Sequence, residues 1–193
     1  MIFRLLINRV GGYFGLRESY LSTNSKFRKK ILLIIHSGFQ HETGSFLPLN
    51  NIINGPINFL HGTYGIFISG GAIIEKNCTM YHQVTIGSNM LLDSKGFGAP
   101  TIGDNCLIGA GAKIIGGIKI GDNCRIGSNT VVTSDLPDNS VIVNSPSQII
   151  QKSNLTNKIY QLSSQIWGYQ ENGAFVIEKD DLIVEKLNKL INN

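Results

Sequence analysis

The sequence predicts an all-β fold: a parallel β-helix of six-residue repeats, with a short helical N-terminal extension and a mixed C-terminal tail. Three observations predict it. Ile68, Ile74, Met80 and Ile86 recur every six residues, and so do Ile102, Ile108, Ile114, Ile120, Ile126 and Val132. Glycine follows the apolar residue at Gly87, Gly103, Gly109, Gly121 and Gly127, and a small or aliphatic residue stands four places on at Ala72, Cys78, Val84, Ala112, Ile118 and Thr130. In such a pattern each hexapeptide supplies one short strand and one turn. The third observation is the cysteines. They occur as Asn77-Cys78, Asn105-Cys106 and Asn123-Cys124, with Cys106 and Cys124 eighteen residues apart. Eighteen is three hexapeptides, so one coil has three strands and the cysteines share one column. The asparagines before them suit turn positions with a left-handed backbone. As small apolar side chains in a narrow core, the cysteines need no catalytic or metal-binding role.

Residues 1–45 are not repetitive and form the N-terminal extension. Phe3, Leu5, Leu6 and Val10 fit one helix face, and Phe27, Ile31, Leu32 and Ile35 another. A helical cap is useful there, because the open end of a β-helix exposes unpaired strand edges. Arg28-Lys29-Lys30 reads as a solvated helix face, with an anionic membrane surface or polymer as the alternative. The β-helix domain covers 46–148. Leu47, Ile53 and Phe59 start an early coil, but Phe59 to Ile68 is nine residues, three too many, and the extra residues fall at Leu60-His61-Gly62-Thr63-Tyr64. Cys78 to Cys106 is eighteen plus ten, and the ten fall at Met90 to Ala99. Repeat scaffolds place insertions in loops, often on the binding face, so these two breaks are where chemistry is sought. The C-terminal extension, 149–193, follows a turn at Asn144-Ser145-Pro146-Ser147. It ends in an amphipathic helix carrying Leu182, Ile183, Leu187, Leu190 and Ile191.

Composition excludes several classes. Among 193 residues the net charge is +4, too mild for a dedicated nucleic-acid binder. The 22 glycines without a three-residue period point to tight turns and not to collagen. The longest strongly apolar run, Ile31 to Ile35, is far short of the ~20 residues of a membrane span. The N-terminus lacks the pattern of a cleaved leader, and three cysteines are read as free thiols, so a cytoplasmic protein is expected.

Four ordered segments carry a resemblance: His61-Gly62-Thr63-Tyr64-Gly65-Ile66, Tyr81-His82-Gln83-Val84-Thr85-Ile86-Gly87, Gly98-Ala99-Pro100-Thr101-Ile102-Gly103-Asp104-Asn105, and Ile108-Gly109-Ala110-Gly111-Ala112-Lys113-Ile114. Together they resemble the serine acetyltransferase branch of the hexapeptide acyltransferases over residues 45–150. The resemblance implies a left-handed coil, a homotrimer and acetyl-CoA bound between subunits, with no metal. It implies that His61 is the general base, taking the proton from the acceptor hydroxyl as that hydroxyl attacks the thioester, work that suits a neutral imidazole. A backbone N–H near the site would hold the oxyanion. His82 and Tyr64 are candidates for the acceptor site, with His82 acting from a neighbouring subunit. Gly87, Ala110 and Ser128 match positions lining the pantetheine groove, and Lys152 is placed against the CoA phosphates.

The chain also departs from that branch. Leu60 stands where an acid precedes the catalytic histidine, and Gly98-Ala99-Pro100 lacks the branch's second histidine. The N-terminal extension is shorter than the branch's helical domain. These departures turn the expectation towards relatives that O-acetylate a sugar or polysaccharide hydroxyl of capsule, O-antigen or exopolysaccharide. The alternatives are serine O-acetylation for cysteine synthesis and a catalytically silent β-helix used for assembly. A zinc hydratase on this fold would need a histidine cluster, and only His61 and His82 lie within the repeats.

Overall fold

In a computed structural model, residues 2–144, 158, 160–171 and 174–191 are described. The chain divides into two compact units, Met1–Pro146 and Ser147–Asn193. The first begins with three helices, α1 (Ile2–Arg9), α2 (Gly12–Ser22) and α3 (Lys26–Thr43). Thirteen short strands follow: β1 (Ile52–Ile53), β2 (Asn58–Thr63), β3 (Phe67–Ile68), β4 (Ile73–Ile74), β5 (Thr79–Met80), β6 (Thr85–Gly87), β7 (Thr101–Ile102), β8 (Leu107–Ile108), β9 (Lys113–Ile115), β10 (Lys119–Ile120), β11 (Arg125–Ile126), β12 (Val131–Val132) and β13 (Val141–Ile142). They assemble into three parallel sheets, β1-β4-β7-β10, β2-β5-β8-β11-β13 and β3-β6-β9-β12, the three faces of a prism.

The register gives the coil length directly. Thr101 pairs with Lys119, Leu107 with Arg125 and Lys113 with Val131, each eighteen residues on. Both breaks act as pure insertions. Ile73 pairs with Thr101 across the ten extra residues, and Ile52 with Ile73 across the three. The ten leave the coil as a loop closed by an antiparallel bridge between Asn89 and Gly98, with Met90, Leu91 and Leu92 exposed. The last coil is short: Val141 pairs with Arg125, sixteen residues earlier.

The prism interior is the column of inward side chains read from the sequence. Ile68, Ile74, Met80, Ile86, Ile102, Ile108, Ile114 and Ile120 are all fully buried, each contributing about 1.5–3 kcal/mol of burial. The cysteines do stack in one column. The Sγ–H of Cys78 donates to Gly103 O, of Cys106 to Gly121 O and of Cys124 to Pro137 O, each at 3.2 Å. The neighbouring Cys78 thiol and burial push the Cys106 thiol up, and burial pushes Cys124 up, so the thiolate form is disfavoured. Outside them, Asn77, Asn105 and Asn123 have φ of 59°, 57° and 56°, the left-handed turn predicted for that column. One place earlier, the Asp104 and Asp122 carboxylates accept from the Lys76 and Asp104 amides, both at 2.8 Å. Each coil thus binds the one before it through the same turn.

The helices close the first coil. Tyr13 Oη donates to Pro48 O at 2.7 Å and Arg17 Nη2 to Asn51 O at 2.7 Å, and the Phe14 ring stacks on Phe59 at 6.1 Å. The inward face of α3 differs from the sequence expectation. Leu32, His36, Phe39 and Thr43 are buried, while Phe27 and Ile31 point to solvent. Polar His36 and Thr43 earn their places with hydrogen bonds to backbone carbonyls, at 2.8 Å to Leu47 O and 2.9 Å to Phe39 O, which an apolarity pattern does not register. On α1, Ile7 is buried and Leu5 exposed. The sequence reading did not anticipate α2, whose buried contribution is Tyr13 and Leu16 alone.

Burial holds the His36 pKa below its ordinary value, against the opposing pull of the Leu47 carbonyl. A depressed histidine pKa means that the unfolded chain takes up its proton first. Its contribution is complete above the unfolded value of about 6.5 and is lost as pH falls from there through the folded value. The melting temperature is therefore expected to fall on acidification below about pH 6.5. His36→Gln, which keeps a donor for Leu47 O, should flatten that dependence; equal slopes for both proteins would refute this assignment.

The second unit holds β14 (Tyr160–Ser163), β15 (Ile166–Glu171), β16 (Ala174–Ile177) and α4 (Asp181–Ile191). The three strands form an antiparallel meander, where the sequence reading had a polar stretch. Its first hairpin turns at Ser164 and Gln165, with φ of 49° and 66°. Such two-residue turns ordinarily announce themselves with Asn-Gly or Asp-Gly, so the sequence signal is missing. Helix α4 is the amphipathic helix expected there.

Candidate functional site

The three-residue break builds the candidate site. After pairing with β5, β2 runs on through Leu60, His61, Gly62 and Thr63 and leaves the prism edge at Gly62 (φ 71°) and Gly65 (φ 64°). Phe59 pairs with Met80, so two residues further His61 lies over His82. Their Nδ1 atoms are 2.9 Å apart, with ring centroids at 5.1 Å. The Tyr81 ring packs edge-on against His61 at 5.0 Å and 89°. His61 is exposed and His82 half-buried. A bond between two Nδ1 atoms needs one proton between them, so one ring carries Nδ1–H and the other a bare Nδ1. The first ring then has its Nε2 lone pair free.

This pairing was available in the sequence and was missed. Met80 and Phe59 occupy one inward column, and a histidine follows each by two. The sequence analysis uses that offset for His82 only and has His82 act on the acceptor from a neighbouring subunit.

The same prism edge carries two of the three residues expected to line the pantetheine groove. Thr79 pairs with Leu107 and Leu107 with Arg125, which sets His82, Ala110 and Ser128 in one column. The His82 carbonyl accepts from Gly111 N–H at 3.0 Å, and the Ala110 carbonyl from Asn129 N–H at 2.8 Å. From His61 to Ser128 is three coil steps, roughly 14 Å at ~4.8 Å per step. The edge is lined by small residues packed coil on coil: a Cβ on Gly109 would stand 2.6 Å from Ser128 N. An edge of such small residues suits a long, thin substrate arm.

Gly87 does not join them. It ends β6 at the next edge, beside the 90–99 loop, and is buried, with Ile115 Cδ1 2.8 Å from where its Cβ would be. Within one chain it lines a different edge from Ala110. Tyr64 is exposed, and its hydroxyl accepts a hydrogen bond from Arg4 Nη1, whose guanidinium also lies 5.5 Å from the ring centroid. It lines a cleft of about 380 Å³ under α1 and α2, with Arg4, Asn8, Tyr13 and Thr63, in which His61 takes no part. Lys152 lies outside the described residues. Leu60 is exposed, and the hydrogen-bond partner of the His61 ring is His82, not a carboxylate. Among the described residues, no three of His, Cys, Asp or Glu converge to hold a metal ion.

Residues 99–134 match the bacterial transferase hexapeptide family (six repeats). The serine acetyltransferase of Mycobacterium tuberculosis is 39% identical over 111 residues, covering 58% of this chain and 47% of that protein. That of Staphylococcus aureus is 38% identical over 94 residues, covering 49% and 43%. Among solved structures, soybean serine acetyltransferase complexed with serine superposes with a TM-score of 0.55 at 32% identity, over 70% of this chain and 54% of that one. The Neisseria gonorrhoeae serine acetyltransferase gives 0.55 at 28%, over 74% and 52%. The chain spans about half the length of the curated relatives it matches. It is a hexapeptide-repeat protein, similar to serine acetyltransferases, and its prism is a left-handed parallel β-helix, an exception to the right-handed crossover rule. The sugar or polysaccharide acceptor expected from the sequence is corrected by these likenesses, which run to serine acetyltransferases. The departures at Leu60 and Gly98-Ala99-Pro100 and the short N-terminal extension carry that expectation, and they do not outweigh likeness over 94 to 111 residues.

Proposed function

We propose that this chain transfers an acetyl group from acetyl-CoA to the hydroxyl of serine, with His61 as general base. The observation that carries the reading is the His61–His82 pair at the head of the edge formed by Ala110 and Ser128, taken with the likeness to serine acetyltransferases. His61 donates its Nδ1–H to His82 Nδ1, which leaves His61 Nε2 to take the proton of the serine hydroxyl. The oxygen attacks the thioester carbonyl carbon and the C–S bond breaks. The proton passes from Nε2 to the departing sulfur, giving O-acetylserine and CoA. His82 accepts from His61 Nδ1–H throughout, so it fixes the tautomer and stays paired when His61 becomes an imidazolium. That is the service a carboxylate gives in a Ser-His-Asp triad, and it supplies what Leu60 cannot.

The working form is a homotrimer. A neighbouring copy would bring Gly87 and the exposed Met90, Leu91 and Leu92 of the 90–99 loop to the edge that holds Ala110 and Ser128. Lys152 is retained as the residue for the CoA phosphates, and the compartment of these substrates is the cytoplasm.

The test is release of CoA from acetyl-CoA with L-serine, run beside a panel of saccharides. Turnover of serine supports the reading; none with any acceptor, at full acetyl-CoA binding, defeats it. The positioning role of His82 has its own signature. His82→Phe keeps a ring but loses the acceptor, so kcat should fall about tenfold or more while KM for serine hardly moves. A change confined to KM would make His82 an acceptor-binding residue instead.

A further inference from the structure

We propose that the outer face of α1 and α3 is a docking surface for an anionic lipid bilayer, on which the two helices lie parallel to the membrane plane. The inference rests on charge and exposure alone and is independent of the acceptor.

On α3 the buried residues are Leu32, His36, Phe39 and Thr43. At helical spacing, the opposite side carries Phe27, Ile31 and Ile34, a row with i, i+4, i+7 intervals. Phe27 is 75%, Ile34 55% and Ile31 42% exposed. On α1, Ile7 is buried, and Ile2 and Leu5 on the far side are 65% and 62% exposed. The two helices pack directly against each other: the Phe3 ring lies where a side chain on Gly38 would be, and the Glu42 carboxylate accepts from the Phe3 and Arg4 amides. Both apolar rows therefore face away from the β-helix.

The same region is strongly basic. Residues 1–43, the three helices, contain seven Lys and Arg and two acids, Glu18 and Glu42, so their net +5 exceeds the +4 of the whole chain. Arg9, Lys26, Arg28 and Lys30 form no ion pair among the described residues and flank the apolar rows.

That combination selects the occupant. A second copy docked by a two-fold axis would press this face against itself, setting each cluster of cations against its own image with no anions to offset it. A nucleic acid would satisfy the cations and leave Phe27, Ile31, Ile34, Ile2 and Leu5 against phosphate and water. A bilayer containing anionic lipid meets both demands: headgroup charge attracts Lys and Arg, and the acyl boundary takes the apolar row. No helix among the described residues is long and apolar enough to cross a membrane, so the contact is with the surface.

The experiment is co-sedimentation of the full chain with vesicles of pure phosphatidylcholine or of phosphatidylcholine mixed with phosphatidylserine, at low and high salt. Binding to the mixed vesicles that weakens with salt is the expected result. Exchanging Lys26, Arg28 and Lys30 together for Gln should weaken it about 100-fold, near fivefold per charge. Phe27→Ser with Ile34→Ser should weaken it while leaving the salt dependence in place. These side chains are exposed, and unchanged melting curves would verify that folding is not the cause. Equal binding to both vesicle types, or none to either, overturns the proposal. So does a concentration-dependent change of oligomer size that Phe27→Ser and Ile34→Ser abolish, which would assign the face to a second copy.

Discussion

His61→Ala is expected to lower kcat for acetyl transfer to serine by about 10²–10⁴-fold, the usual weight of a positioned general base. The melting temperature should not move. His61 is exposed and belongs to no part of the buried column, and exposed substitutions stay within about 0.5 kcal/mol. Acetyl-CoA binding should also survive, because Ala110 and Ser128, up to three coil steps away, are untouched. Steady-state kinetics beside a melting curve and a CoA titration reads all three. Loss of activity together with loss of CoA binding would move His61 from proton transfer to substrate binding. A fall in kcat of less than about tenfold would hand the base role to another group.

The second large effect lies in the core. Cys106→Asp is expected to leave the chain unfolded or aggregated. The Cys106 thiol is 1% exposed, between Cys78 and Cys124 in the column. A carboxylate there has Gly121 O, an acceptor, where it needs a donor. An unpaired buried charge costs several kcal/mol, a large part of the 5–15 kcal/mol that holds a typical domain together. Cys106→Ala removes the same sulfur and should fold, with a loss of about 1 kcal/mol, and should keep its activity. Circular dichroism melts of the pair give the comparison. Full transferase activity in Cys106→Ala excludes a nucleophilic thiol, and its loss without unfolding would reinstate one.

Those two residues also show how far the sequence could be read. Cys106 was legible because a repeat states the same fact several times: eighteen residues on, the same Asp-Asn-Cys triplet meets the same turn and the same interior. His61 was legible as a residue and not as a pair. Its partner follows from counting across a break, where the spacing is twenty-one and not eighteen, and a period search is blind to that interval. Helix α3 was misread for another reason. His36 and Thr43 are inside because backbone carbonyls of Leu47 and Phe39 accept their hydrogen bonds, and Phe27 is outside although nothing in its chemistry says so. A pattern of apolarity records the first kind of burial badly and the second kind of exposure not at all. The acceptor was misjudged because Leu60, the missing histidine at Gly98-Ala99-Pro100 and the short N-terminal extension were weighed above the likeness of the repeats. The structure supplies a different partner for His61 from the next coil.

The short final coil and the two insertions share a property that bears on how such a chain can change. Distances along the prism are counted in coils, whereas the side to which a residue points is counted in thirds of a coil. Adding eighteen residues of repeat after Gly103, in the regular coil, would lengthen the edge by one ~4.8 Å step and leave the His61–His82 contact as it is. Adding six would turn every later side chain to the next face and carry Ala110 and Ser128 away from the histidines. The loop at 90–99 escapes this rule, since its bridge between Asn89 and Gly98 returns the chain to the place it left. The protein thus has two kinds of adjustable length: one moves in whole steps and resets the reach of the edge, and the other varies freely and leaves the scaffold in phase.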